Sequence, residues 1–285
     1  MLWHLLQDDG LKPKYLASGL PKSGLHLVTA MLQAVCHPMP HTIFATTSWW
    51  GTFKWNSFSD QWIDWERLAY LFSRLQHGYF YKGHVGWRAD IAEFIRLTGA
   101  AHVFIYRDLR DVCVSQTWHI LNDDDENFKH VGKMAYRTLP RPDGTQGGFD
   151  EVLLAVIEGL AGFTGVIERW ELYAPWLDED WTLALKFEDI LADRDVAARR
   201  ILEYGMDRYL HLFDTALLRV EGEIFDRCVA AMVENSRSPS ASSTFRKGTA
   251  GQWRECFTEQ HKAAFKAHGG GTWLVRLGYE KDEEW

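Results

Sequence analysis

The chain has 285 residues, 46% hydrophobic and 25% charged, with a formal net charge of −8. That is the make-up of a globular protein large enough for a sizeable core, and its acidity argues against general nucleic-acid binding. Cys36, Cys113, Cys228 and Cys256 are scattered without a CxxC, so reduced thiols are expected instead of a disulfide framework. The opening MLWHLLQDDG lacks a basic n-region, and the apolar segment 152–167 carries Glu158 and several Gly and is too short for a bilayer span. A soluble, cytoplasmic protein with no membrane partner is expected.

The run Tyr15-Leu16-Ala17-Ser18 reads as a short strand. It leads through LPKSGLHLV (20–28) into a helix with Val28, Met31, Leu32 and Val35 on one face. Strand, Gly-containing turn and helix place backbone N–H groups around an anion, the helix dipole adds attraction, and Lys22 brings a full charge. This is a phosphate cradle, or else a plain α/β connection. Residues 42–65 are crowded with Phe44, Trp49, Trp50, Phe53, Trp55, Phe58, Trp62 and Trp65 without a period, which reads as loop plus short helix. A helix is expected over 65–75, an extended piece over 79–82 ending in Gly83-His84, and a helix over 91–98 closed by Gly99. HVFIY (102–106) is a buried strand by its continuous apolar character. Arg107 ends it, and Asp108 can cap a helix running to about 121.

The polar, Gly/Pro-punctuated stretch 122–150 reads as a long loop or lid, and 149–173 as one amphipathic helix. A strand follows over 181–187 and a helix over 194–204, with further helices near 214–222 and 224–234. Residues 243–255 form a basic loop, 257–267 a helix, and Gly269-Gly270-Gly271 a break before an acidic tail. Strands alternating with helices predict an α/β fold. We expect a P-loop-like central parallel sheet flanked by helices, in a single domain over 1–285 with 122–150 as a lid insertion.

Three basic clusters stand where such a sheet gathers its ligands, beyond the C-terminal ends of strands. The cradle gives Lys22. The HVFIY strand end gives Arg107, with Ser115 eight residues, about two helical turns, further on. The loop TFRKGTAGQW gives Arg246 and Lys247 beside Gly248. Together they imply one ligand with two phosphate-like groups. No His/Cys/Asp/Glu cluster has metal-ligand spacing, so no metal is expected.

LPKSGLHL resembles the 5′-phosphosulfate loop of the sulfotransferases that use 3′-phosphoadenosine 5′-phosphosulfate (PAPS). IYRDLRDVCVS resembles their 3′-phosphate motif, FRKGTAGQW their RKGxxGxW loop, and KFEDI their YED strand end; LVRLGYE is similar to the tail of bacterial members. The motifs run in family order from Tyr15 to Trp253. The resemblance implies that Lys22 contacts the 5′-phosphate and bridging oxygen, while the backbone of Ser23, Gly24, Leu25, His26 and Leu27 wraps the phosphosulfate. It puts Arg107, Ser115, Arg246, Lys247 and Gly248 on the 3′-phosphate. Lys82-Gly83-His84 matches the family's Lys-x-His, whose His activates the acceptor hydroxyl; Lys22 and Lys82 would then stabilise charge on the transferring group. The implied product is 3′,5′-diphosphoadenosine (PAP), with no metal required.

The departures fall on base recognition. Leu25, His26 and Leu27 stand where the family has Thr-Thr-Trp, so the Trp that stacks on adenine is missing. Phe187 replaces the YED Tyr, and Val229 stands, with Arg227 and Cys228, where members place an adenine contact. Competing local readings are a structural or phosphate-adjacent His26, an Arg107–Asp111 ion pair one turn apart, a Ser115 back-bond to its own helix, and capping by Glu188 and Asp189. The aromatic crowd over 44–65 reads as packing or as an apolar, planar acceptor site. The expected activity is sulfuryl transfer from PAPS to a hydroxyl of a small-molecule acceptor, apolar or aromatic, by in-line displacement with His84 as base. The rivals are a P-loop-type small-molecule kinase and a catalytically silent nucleotide-binding interaction protein. Against the kinase, Pro21 precedes Lys22-Ser23 and the Gly follows the Lys, so GxxxxGK[ST] is absent.

Overall fold

Apolar runs along the chain assemble into a five-stranded sheet. The structure, a computed structural model, describes residues 13–44, 65–122, 136–160, 163–213, 222–237 and 248–285. In chain order the elements begin with β1 (Tyr15–Gly19), α1 (Leu25–Gln33), β2 (His37–Phe44), α2 (Trp65–Ser73) and β3 (Tyr79–His84). Next come α3 (Ala89–Thr98), β4 (Ala101–Tyr106), α4 (Leu109–Asn122), α5 (Phe149–Glu158) and the short strands β5 (Gly159–Leu160) and β6 (Phe163–Thr164). Then follow α6 (Val166–Glu171), a 3-10 turn (Ala174–Leu177), β7 (Thr182–Lys186), α7 (Phe187–Ala192) and α8 (Arg194–Phe213). The last are α9 (Gly222–Arg237), α10 (Trp253–Cys256), α11 (Glu259–Ala267) and α12 (Gly270–Arg276). They gather into two compact units, one of 1–45, 63–106 and 173–246, the other of 46–62, 107–172 and 247–285. Both are discontinuous in sequence, so no single cut separates them.

The first unit holds the sheet, ordered β2-β3-β1-β4-β7 with every pairing parallel. β1 is buried throughout and β4 almost so, which is why both read as unbroken apolar runs. Val28, Met31 and Leu32 of α1 are fully buried in a core shared with Tyr15, Val103, Ile105, Ile201 and Met232. Each such side chain contributes roughly 1.5–3 kcal/mol by leaving water. Mid-helix Gly205 of α8 makes room for Tyr15: a Cβ there would lie 1.9 Å from the phenol oxygen. β2 was not among the expected elements, and its sequence carries Pro38 and Pro40. It lies at the edge of the sheet, where a missing N–H is tolerated, and its register shifts between Pro38 and Thr42.

The second unit departs from expectation at two glycine-rich points. The helix expected over 149–173 is two helices, α5 and α6, separated by the antiparallel β5–β6 pair. Gly159 turns out at φ 92°, and Gly165 admits the backbone of α5 where a Cβ would sit 2.4 Å from Ile157 O. The triple-glycine break instead starts a helix: Gly269, at φ 83°, precedes α12, and Gly270 lies against the Phe265 ring. Of the expected lid, 123–135 lies outside the described residues. Of the rest, Asn122 ends α4 and Phe149 and Asp150 open α5, and between them is a tight turn bridged between Pro140 and Gln146, with Arg137 Nε donating to Ile120 O of α4 at 2.6 Å. Of the aromatic crowd, 45–64 lies outside the described residues. Among those described, no helix is long and apolar enough to cross a membrane.

Candidate active site

β1 ends at Gly19 with β3 on one side and β4 on the other, in the registers Ser18↔Gly83 and Gly19↔Ile105. The turn into α1 is shaped by Ser23, whose N–H donates to Leu20 O at 3.0 Å. Its buried hydroxyl lies 2.6 Å from Leu20 O and 3.1 Å from Ile105 O. Ser23 therefore works as a brace of the loop through its side chain. Lys22 takes φ 71°, the non-glycine residue in the left-handed region among those described, at a cost of roughly 1–2 kcal/mol. Such strain persists where the surroundings over-determine it, commonly at functional sites.

Gly24 follows at φ 101° and opens α1. A Cβ on Gly24 would lie 2.3 Å from the Phe187 ring, so Phe187 packs edge-on beneath the loop. No side chain caps α1 and no acidic residue stands in its first turn. Leu27 N–H donates back to Gly24 O at 2.9 Å. The N–H groups before it are those that helix geometry leaves without an intrahelical acceptor, at the positive end of the dipole. Leu25 turns its side chain into the core and Leu27 packs partly against it. Val229 is wholly enclosed in the same core, at 0% exposure, and presents no surface to a ligand.

His84 ends β3, the strand beside β1, and Lys82 lies two residues earlier on the same face. His84 Nδ1 lies 2.7 Å from Gly19 O. A carbonyl oxygen can only accept, so Nδ1 carries the proton and Nε2 is the basic nitrogen. Burial lowers the His84 pKa to about 4; the Gly19 bond opposes this, and the charges of His26, Lys22 and Lys82 add to it. By surface area the ring is only half-buried, so part of it remains reachable. His26 is also lowered to about 4, by desolvation and then Lys82 and Lys22. Its surface is exposed, however, and water screens much of that influence. Lys22, His26, Lys82 and His84 are thus within one electrostatic neighbourhood.

In the second unit Arg107, 6% exposed, donates through Nη2 to Asp111 Oδ2 at 3.2 Å and to Thr249 O at 2.8 Å. The Asp111 carboxylate also accepts the N–H of Gly251 at 2.7 Å and of Trp253 at 3.0 Å. One buried acid therefore holds both Arg107 and the loop after Gly248. Ser115 lies two turns along α4, half-buried. Arg246 and Lys247 lie outside the described residues.

The family model for the sulfotransferase domain matches residues 12–270. The chain belongs to the sulfotransferase family. Its structure is similar to that of mouse sulfotransferase SULT7A1 complexed with PAP, with 14% identity, TM-score 0.55, and coverage of 96% of this chain and 89% of that one. It is also similar to retinol dehydratase in complex with androsterone and the inactive cofactor PAP, with 16% identity, TM-score 0.51, and coverage of 92% and 81%. These likenesses show the fold. No curated protein sequence matches as a relative.

In this sulfotransferase two supporting residues, Arg110 and His102, escaped the sequence reading, and a third was legible only in part. Asp111 was foreseen as a partner for Arg107 but not as the acceptor of the Gly251 and Trp253 N–H groups. Arg110, 1% exposed, makes a forked contact with Asp108 and donates to Glu280 Oε1 at 2.6 Å; the alternating DLRD charges were its signal. His102, fully buried on β4, lies 2.7 Å by Nε2 from Ser18 Oγ on β1 and 3.0 Å by Nδ1 from Thr182 Oγ1 on β7. Burial holds it down at about 3, a neutral crosslink between strands. Among the described residues no group of three or more His, Cys, Asp or Glu could hold a metal.

Proposed function

We propose that this sulfotransferase takes the sulfuryl group of PAPS and passes it to a hydroxyl of a small apolar or aromatic molecule, with His84 as base. What supports this above all is the His84–Gly19 bond. The strand that opens into the anion loop itself fixes the tautomer that leaves Nε2 basic. The uncapped start of α1 and the strained Lys22 fit a dianionic group; Lys22 and the backbone of 23–27 take the 5′-phosphosulfate. Arg107, Ser115, Arg246, Lys247 and Gly248 take the 3′-phosphate, as the family motifs assign them. The retinol dehydratase structure holds androsterone, an apolar molecule, which agrees with an apolar acceptor here. The free thiols of all four cysteines suit a cytoplasmic enzyme.

In the reaction, the acceptor O–H gives its proton to His84 Nε2 while that oxygen forms a bond to sulfur. The bond from sulfur to the bridging phosphate oxygen breaks, and PAP leaves with that electron pair. Lys22, and Lys82 on the His84 face of β3, offset the charge that develops on the bridging and sulfuryl oxygens. A base near 4 is weak in the free protein. The negative charge of the bound donor favours the imidazolium and raises it.

Calorimetric titration with PAP, and with ATP plus magnesium, tests the donor. Micromolar or tighter binding of PAP without metal is expected. Binding of ATP in preference to PAP, with a strict need for magnesium, would instead favour a kinase.

A further inference from the structure

The Arg110 guanidinium is enclosed between two indoles, its Cζ 3.6 Å from the Trp253 ring centre and 4.4 Å from that of Trp285. Each of its nitrogens has a carboxylate partner, Nε and Nη2 on Asp108 and Nη1 on Glu280. Trp285 is packed in turn edge-to-face on Phe265 and Trp253, with Lys266 Nζ 5.0 Å from its ring centre. The indole N–H groups of Trp253 and Trp285 are buried without a hydrogen-bond partner. No polar pin on either indole therefore orients these rings; they are held by packing, with Arg110 the cation nearest both, while Trp253 also carries Arg254 Cζ at 4.8 Å and Phe257 edge-on. Trp253 opens α10 directly after the loop; its N–H and that of Gly251 reach Asp111, and the loop's Thr249 carbonyl reaches Arg107.

We infer that Trp285 and Glu280 are positioning residues for the 3′-phosphate of the donor. They hold Arg110, Arg110 seats Trp253, and the seated loop orients Arg107. The segment 279–285, outside every donor motif, thereby sets how well the enzyme distinguishes a nucleotide with a 3′-phosphate from one without. This inference rests on the donor site proposed above, in which Arg107 and the loop at Gly248 take that phosphate.

The test is calorimetric affinity for PAP and for 5′-AMP in the full chain and in Trp285→Ala, Trp285→Phe and Glu280→Gln, with steady-state kinetics alongside. For Trp285→Ala, loss of one cation–π face should weaken PAP about tenfold. Affinity for 5′-AMP should change by less than about twofold, and KM for PAPS should rise while kcat at saturation stays. Trp285→Phe, which keeps a ring over Arg110, should restore most of the discrimination. Glu280→Gln should fall between and covers the case in which the alanine variant does not fold. Equal weakening of PAP and 5′-AMP, or an unchanged ratio in Trp285→Ala and Glu280→Gln, would overturn the inference. Arg107→Ala separates the two levels. If it too leaves the ratio unchanged, the donor site is wrong and the inference falls with it; if it collapses the ratio while the other variants do not, only the inference fails.

Discussion

Removing the Asp111 carboxylate should be among the most damaging single changes in the second unit. Its side chain is fully buried and accepts three donors, the Arg107 guanidinium at 3.2 Å and the N–H groups of Gly251 at 2.7 Å and Trp253 at 3.0 Å. Asp111→Ala leaves a buried cation without its anion, worth about 3–5 kcal/mol in comparable cases. It also orphans two backbone donors, each at about 1–3 kcal/mol if they stay dry. These terms overlap, since the loop can lift toward water, so the expected loss is about 4 kcal/mol. Asp111→Asn keeps an oxygen for the N–H groups but no charge for Arg107, and should lose about half as much. Urea unfolding followed by fluorescence reads the stability. Hydrogen exchange over 248–256 reads the local effect, with the Gly251 and Trp253 amides expected to lose protection first. A midpoint for Asp111→Ala within about 0.2 M of the parent, with those amides still protected, would refute this view of the carboxylate.

Gly24→Ala should cost upward of about 2 kcal/mol, because φ 101° is unfavourable for alanine and its Cβ would meet the Phe187 ring at 2.3 Å. Adding Phe187→Ala should recover only the steric part, as thermal melts of the single and double variants would show. His84 and His102 have folded pKa values of about 4 and about 3, below the unfolded value near 6.5. Between those limits the unfolded chain binds more protons, so stability is complete above about 6.5 and lost as pH falls, by up to about 1.4 kcal/mol per pH unit for each group. His102→Asn should flatten that slope in a series of urea midpoints from pH 7 to 4.5; an unaltered slope would count against it. With Leu27 at the position where the resemblance puts a stacking Trp, PAP affinity should rest mainly on the phosphates and fall steeply between low and high salt, whereas a salt-insensitive affinity would contradict that.

The sequence carried the α/β alternation, the central strands and the anion loop well, since these depend on local signals: continuous apolar runs, a Gly in a tight turn, a periodic helix face. It failed where tertiary context overrides local habit. β2 is a strand despite Pro38 and Pro40 because it sits at an edge, and Gly270, read as part of a break, opens a helix where its bare backbone leaves room for the Phe265 ring. Of the site, Lys22, Lys82, His26 and His84 were legible as chemistry, and the structure gathers them in one electrostatic neighbourhood. The tautomer of His84 was not, because Gly19 lies 65 residues away. Nor was the reach of Asp111, whose amide partners are 140 and 142 residues distant. Val229, read as an adenine neighbour from a motif register, is a core residue, which a single sequence has no means of telling apart.

The most direct measurement is transfer of labelled sulfuryl from PAPS to a panel of phenols and alcohols, by the parent and by His84→Ala, over pH 4 to 9. With His84 as the base, turnover is expected in the parent and a loss of about 10²–10⁴-fold in kcat for His84→Ala, with PAP affinity unchanged. In the parent, the acid limb of kcat/KM for PAPS should lie near the free-protein value of about 4 and that of kcat higher, because the bound donor favours the imidazolium. Undiminished turnover in His84→Ala would contradict it, as would acid limbs ordered the other way.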